Sequence, residues 1–361
     1  MRILFAFAGG AGHLQPMLPL ARAAAAAGHA VAVTGRPGAL PKDFEGFPAG
    51  ADEPPGERRP LLRLDRDREA REFRDGFGGW IARERAATTK AVAERWRPDV
   101  VVCDEADFGS MIAAEALGIP HAVVVVLAAG TFGRPDGLAA LLDEARAAHG
   151  LPADPDLAML ERHLVISPVP PSFRARGGAR FMRPMPLVPP APTQPPQVYV
   201  TLGTIFNTES GDLFTRLLAG LRELPVELVV TVGAAIDPAE LGPQPGNVRV
   251  ARYIPQAELL PRCSAVVSHA GSGTVVGALA HGLPMVLVPM GADQPDNADR
   301  AVALGAGVVL DATDATPADA AEALRAVLTE DSYRAAAEAL RTEVAAMPAP
   351  EELVASLAGL R

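Results

Sequence analysis

Residues 265–289 read AVVSHAGSGTVVGALAHGLPMVLVP. A β-branched run ends at His269, and a turn of small residues, Gly271-Ser272-Gly273, follows it. Thr274 then opens a helical stretch that Gly282 stops, and a second apolar run, Met285–Val288, begins after Pro284. Strand, tight turn, helix and strand in immediate succession make the crossover unit of a parallel sheet. The fold class expected is therefore α/β. Free backbone N–H groups at the start of the helix, with the Ser272 and Thr274 hydroxyls, form a cradle for an anion, and His269 adds a donor beside it. Asp293 and Gln294 follow the next strand, a polar pair suited to sugar hydroxyls. A diphosphate next to a carboxylate and an amide suggests a sugar nucleotide.

The same alternation extends in both directions. Downstream of residue 197, strands are expected at Val198–Leu202, Glu227–Val232, Val248–Tyr253, Ala265–His269, Met285–Val288 and Gly307–Leu310. Upstream they are expected at Arg2–Ala8, Ala30–Thr34, Asp99–Cys103, His121–Leu127 and His163–Ser167, with helical patterns at 16–27, 69–95 and 108–117. Between the halves lies RPMPLVPPAPTQPPQ (183–197), too rich in proline for a helix or a central strand. The expected division is a first domain 1–186, a linker 187–197, a second domain 198–347, and a closing helix 348–361 that crosses back to the first.

Bulk properties narrow the function. A chain of 361 residues accommodates two cores, and its formal charge of −10 disfavours a nucleic-acid backbone as partner. No apolar run reaches the roughly 18–20 residues of a membrane helix, and RILFAFA is too short for a signal core. Cys103 and Cys263 sit in or beside apolar stretches, which reads as two buried thiols in a reducing cytoplasm. The Asp-x-Asp pairs at Asp65 and Asp154 lie in mixed charge and in a proline-flanked loop, and read as solvated.

The first βα turn is FAGGAGHLQPMLPLA (7–21). Gly10 and Gly12 fit a dinucleotide fingerprint, but Pro16 and its neighbours replace the third glycine, and no acidic residue ends the second strand. His13 instead stands at the carboxyl end of a central strand, just ahead of a helix expected from Pro16. A helix amino end disfavours positive charge, which suits a base. Asp104 emerges at the same edge in PDVVVCDEADF (98–108) and would orient the ring, with Glu105 and Asp107 as rival partners. A capping histidine beside an unrelated aspartate fits the spacing too. His121 and His281 read as structural.

The run HAGSGTVVGALAHGLPMVLVPMGADQPDNADRAVALGAG (269–307) resembles the donor-binding signature of two-lobed, GT-B nucleotide-sugar glycosyltransferases. Bacterial enzymes that glycosylate natural products are the nearest in pattern. VYVTLGTIFN (198–207), YIPQAELLPRC (253–263) and GHLQPMLPLARAAAAAGHAVAVTG (12–35) resemble other parts of that family, and the likeness thins between Arg36 and Arg97. The resemblance implies two facing Rossmann-like domains with an interdomain cleft. It implies a catalytic base at His13 with Asp104 as its partner. Phosphate contacts fall at Thr204, His269, Gly273 and Thr274, nucleoside contacts at Tyr253, Ile254 and Gln256, and sugar contacts at Asp293 and Gln294. Plant relatives carry tryptophan at the position of Tyr253, and a ribose-gripping glutamate where Gly277 stands here. That loss leans the donor from UDP-sugar toward dTDP-sugar. The chain is short for the family in its acceptor-side loops. A small hydrophobic acceptor is expected near Phe77, Trp80 and Phe132, although core packing explains Phe77 and Trp80 as well.

The expected chemistry is an inverting, metal-independent transfer without a cofactor, by a monomer or homodimer. Rival readings are a lipid-linked peptidoglycan-precursor glycosyltransferase, a sugar-nucleotide epimerase, and a catalytically silent nucleotide-binding helper.

Overall fold

A computed structural model describes residues 1–50, 58–175 and 177–360. The chain divides into two units. One comprises Met1–Asp52, Asp67–Met185 and Met347–Arg361, the other Glu53–Arg66 and Pro186–Ala346.

The first unit holds a sheet of seven parallel strands: β1 (Arg2–Ala6), β2 (Ala30–Gly35), β3 (Glu45–Pro48), β4 (Val100–Asp104), β5 (His121–Val124), β6 (Leu164–Ser167) and β7 (Arg180–Phe181). Their order is β3-β2-β1-β4-β5-β6-β7. The second unit holds six parallel strands: β8 (Gln197–Thr201), β9 (Glu227–Thr231), β10 (Val248–Ala251), β11 (Cys263–Ser268), β12 (Met285–Leu287) and β13 (Gly307–Val309). Their order is β10-β9-β8-β11-β12-β13. Both sheets are doubly wound, Rossmann-like layers. In each, the order reverses beside the first strand, between β1 and β4 and between β8 and β11. Outside the carboxyl ends of such a pair, the flanking connections diverge and leave a crevice for ligands.

The central strands are mostly apolar and buried, as expected of strands covered on both faces. Ile3, Phe5, Val100, Val102 and Val124 lie in one buried cluster of the first unit; Val198, Val200, Val230, Val267 and Val286 lie in the core of the second. The closing helix, Pro350–Ala358, buries Leu353, Val354 and Leu357 in the first unit's core. Residues 182–196 contain neither helix nor strand.

Four expectations change. Strands β3 and β7 were not foreseen. They are short edge strands, and EGFP (45–48) carries Gly and Pro where a strand signal would need β-branched residues. The helical pattern at 69–95 divides into Arg66–Asp75, a π-helical turn Gly76–Ile81 and Ala82–Trp96, because Gly79 takes non-helical angles (φ −96°, ψ −105°). The stretch 53–66, expected in the first domain, groups with the second unit. In its described part the Arg59 amide bonds the Thr208 carbonyl (3.0 Å), Leu61 packs on the second core, Arg63 pairs with Asp314, and Arg66 pairs with Asp296 and Asp299. Finally, Asp154 is buried rather than solvated. Its carboxylate accepts the amides of Ala158 (2.8 Å) and Met159 (2.8 Å), and Arg146 and Arg162 face it. Both cysteines are buried free thiols, and burial pushes both up in pKa, Cys263 to about 11.

Candidate functional site

In the first unit the chain leaves β1 at Ala6 and enters a short helix, Ala11–Leu14, that runs on through Gln15–Met17 into Leu18–Ala26. His13 therefore lies inside the first helical turn, not ahead of it. The glycines before it permit the tight entry: a Cβ on Gly9 would stand 2.1 Å from Cδ2 of His13. The neighbouring strand β4 ends at Asp104, which is fully buried. Asp104 Oδ2 faces Nδ1 of His13 at 3.3 Å and accepts the Ala8 amide (2.8 Å), while Oδ1 accepts the Ala106 amide (2.6 Å). Two backbone donors thus aim the carboxylate at one ring nitrogen, Nδ1. The 3.3 Å separation is within ion-pair reach and long for a hydrogen bond.

The rival carboxylates are committed elsewhere. Glu105 binds Arg174 through two nitrogens (2.9 and 2.8 Å) and accepts the amides of Val126 and Leu127. Asp107 caps the helix Phe108–Ala116 at the Ser110 amide and pairs with the buried Arg85. Of the three, only Asp104 meets the imidazole. Phe77 stacks on His13, with ring centroids 5.4 Å apart and an interplanar angle of 12°. Phe73 stacks on Phe77, and Phe132 meets Phe73 edge-on. Trp80 is exposed. A hollow of about 580 Å³ lies at the opposite edge of this sheet, lined by Asp99, Gly118 and Pro120 at the starts of β4 and β5, away from His13.

In the second unit every expected donor residue lies on a connection leaving the carboxyl end of a strand: Thr204 after β8, Tyr253–Gln256 after β10, His269–Thr274 after β11, and Asp293–Gln294 after β12. Helix Ser272–His281 has Gly271 as its N-cap and presents its amino end at this edge. The His269 ring fits between two bare backbones, because a Cβ on Gly203 or Gly271 would stand 2.5 or 2.4 Å from its Nε2. Burial lowers the His269 pKa to about 4, against a backbone hydrogen bond with Thr201 that raises it. At neutral pH this histidine offers a hydrogen bond, not a charge. The unfolded chain takes up a proton near the ordinary value of 6.5 that the native ring refuses down to about 4. Stability therefore falls as pH drops through that window. His121 and His281, also lowered by burial, add in the same direction. A His269→Gln variant should lose less Tm than the parent across this window; equal losses would refute the assignment.

Thr274 spends its amide on the Gly271 carbonyl, and its hydroxyl accepts from Gln256 (3.1 Å), so the hydroxyl proton remains to donate. Ser272, expected at phosphate, instead donates to Asp293 Oδ2 (2.5 Å). Gln294 is buried, and its carbonyl oxygen accepts the amides of Met290 and Gly291, which leaves its NH₂ for other work. Asn297, which the sequence reading missed, is fully buried and donates to Asp293, Ser272 and the Ala270 carbonyl. It stands four residues after Asp293 on one helix face, a spacing that could have disclosed it. Ala270 and Ala292, ahead of the two key loops, both have positive φ (65° and 50°), a strain of about 1–2 kcal/mol each that tends to gather at functional sites. Tyr253 is 72 % exposed, a free aromatic face at this edge. A Cβ on Gly277 would stand 2.9 Å from Leu260 Cδ1 and 3.2 Å from Gln256 Oε1, so a side chain there would have to shift the ends of both. His121 and His281 bond backbone carbonyls of Met159 and Gly277 and serve structure.

Residues 215–360 match the family described as erythromycin biosynthesis protein CIII-like, C-terminal domain. The chain is 32 % identical to the L-demethylnoviosyl transferase of Streptomyces niveus, covering 99 % of this chain and 98 % of that one. It is 30 % identical to the 4'-demethylrebeccamycin synthase of Lentzea aerocolonigenes, covering 99 % of each. Among solved structures, the glycosyltransferase VinC in complex with dTDP aligns with a TM-score of 0.77 at 27 % identity, covering 100 % of this chain and 99 % of that one.

Proposed function

Because the chain belongs to the nucleotide-sugar glycosyltransferases of antibiotic and other natural-product biosynthesis, we propose that it moves a deoxysugar from a dTDP-sugar to a hydroxyl of a small hydrophobic acceptor, inverting the anomeric centre without a metal. The observation that carries this reading is the His13–Asp104 pair at the switch point of one sheet. An imidazole with one nitrogen facing a buried carboxylate is arranged as a general base.

In the proposed step, Nε2 of His13 takes the acceptor's O–H proton and Asp104 steadies the resulting imidazolium. The freed oxygen attacks the anomeric carbon from the face opposite the diphosphate, the bond from that carbon to the diphosphate oxygen breaks, and the nucleoside diphosphate leaves. A single displacement inverts configuration. The charge that grows on the leaving group is met by the amino end of helix Ser272–His281, the Thr274 hydroxyl and the His269 N–H. Asp293 and the Gln294 NH₂ are assigned to the sugar hydroxyls, and Tyr253, Ile254 and Gln256 to the nucleoside. Two observations favour dTDP over UDP. Gly277 offers no acidic side chain to grip ribose hydroxyls, and VinC was solved with dTDP.

The test is to supply dTDP-sugars and UDP-sugars with a panel of aromatic and macrocyclic aglycones and to follow nucleoside diphosphate release and glycoside formation. Release that depends on an acceptor supports transfer. Release of free sugar without acceptor points to an epimerase or hydrolase, and dTDP binding with no turnover on any acceptor points to a silent helper. His269→Ala should weaken dTDP binding by on the order of 10-fold or more, the worth of a hydrogen bond to a charged group; an unchanged Kd would remove His269 from the phosphate site.

A further inference from the structure

The sequence reading places Phe77 on a wall for the acceptor, whereas the structure lays it against the base. We propose that Phe77 is a positioning residue for His13, fixing the plane of the imidazole so that Nε2 points at the acceptor hydroxyl. This inference rests on His13 being the general base.

The geometry needs such a device. Rotation about the last side-chain torsion of histidine is soft, and the 3.3 Å approach of Nδ1 to Asp104 restrains the ring's edge, not its plane. Gly9 and Phe77 bear on the plane. Gly9 brings bare backbone so close to the ring that a Cβ there would overlap Cδ2, Nε2 and Cγ. Phe77 lies nearly parallel to the ring at 5.4 Å.

Phe77 is itself held. Phe73, one helical turn earlier and buried, stacks on it at 4.9 Å and 22°, and Phe73 is fixed edge-on by Phe108 and Phe132. The imidazole is thus the end member of an aromatic column rooted in the core. Phe77 enters from the π-helical turn Gly76–Ile81, where Gly78 packs so closely on Leu138 that a Cβ would stand 2.3 Å from its Cδ1. Single π turns of this kind recur where a side chain must be re-aimed at a functional site. The stack acts during the reaction too: once His13 has taken a proton, a ring face beside the imidazolium favours the charged state. Of the three carboxylates at this strand end, Asp104 faces the ring, while Glu105 and Asp107 face Arg174 and Arg85.

The experiment compares Phe77→Leu and Phe77→Tyr with the parent enzyme, using steady-state kinetics over pH, thermal melting, and imidazole NMR of His13. Phe77→Leu should lower kcat by on the order of 10- to 10²-fold, the scale of a modest misplacement of a reacting group. The KM for the donor should hold, the ascending limb of the pH–kcat profile should move, and the His13 resonances should lose their ring-current shift. Phe77→Tyr, which keeps the flat face, should restore all three. A rise in acceptor KM with kcat, pH profile and His13 resonances unchanged would overturn the proposal and return Phe77 to the acceptor wall. A loss of activity that tracks a lower Tm and is not rescued by tyrosine would also overturn it. If His13→Gln kept full rate, the base itself would fall, while the NMR shift in Phe77→Leu would still report whether the stack orients the ring.

Discussion

Replacing His13 by glutamine is expected to lower kcat by about 10²–10⁴-fold, the usual worth of a positioned general base, and to leave nucleotide affinity unchanged. Glutamine keeps much of the size of histidine and can still hydrogen-bond Asp104, so the ring's place is filled without a group that accepts a proton near neutral pH. Every residue assigned to the donor, from Thr204 to Gln294, lies in the second unit on loops that do not include His13. Turnover and dTDP affinity should therefore separate cleanly in the variant. A glutamine enzyme that runs at the parent rate across the pH range would refute the assignment. So would one that loses nucleotide affinity in proportion to kcat.

Arg85→Leu is expected to destabilise the first unit by about 3–5 kcal/mol, the cost of leaving one member of a buried ion pair without its partner. Arg85 and Asp107 are 3 % and 0 % exposed. The guanidinium donates twice to Asp107 Oδ2 (3.1 and 2.9 Å), to Ser110 Oγ (3.1 Å) and to the Thr34 carbonyl (3.2 Å), which ties helices Ala82–Trp96 and Phe108–Ala116 to β2. The helices touch so closely there that a Cβ on Gly109 would stand 2.2 Å from the Ala82 carbonyl, so water cannot readily replace the lost donor. Adding Asp107→Asn should return much of the loss, because asparagine keeps the helix cap and removes the unpaired charge. Denaturant melts of both variants check this. An unchanged midpoint in Arg85→Leu, or strictly additive losses in the double variant, would refute the clamp.

What the sequence disclosed follows the physics of each element. The central strands carry buried apolar runs, so β1, β4, β8 and β11 stand out in a bare sequence, and their carboxyl ends mark where ligands go. The edge strands of the first sheet escape notice because they are short and a ladder on one side suffices for them: β7 is two residues long, whereas the edges β10 and β13 of the second sheet were legible. The same rule explains the site. Asp104 was legible as a strand-end carboxylate, but its preference over Glu105 and Asp107 was not. That choice is made by Arg174 and Arg85, which come from positions 69 and 22 residues away. Phe77 was legible as an aromatic and illegible as a neighbour of His13, because the π turn that aims it depends on the approach of Gly78 to Leu138 and the non-helical angles of Gly79. Ser272 looked free for phosphate until Asp293 and Asn297, folded back from the next crossover, took its hydroxyl.

The excursion of residues 53–66 bears on any chimaera that joins halves of two related enzymes. A seam at the proline-rich stretch near residue 186 would hand Arg59, Arg63 and Arg66 to a foreign surface while their acids, Glu209, Asp314, Asp296 and Asp299, stayed behind with the native half. Under the donor assignment proposed above, specificity transplanted between relatives should therefore travel as two inserts, residues 186–346 together with residues 58–66.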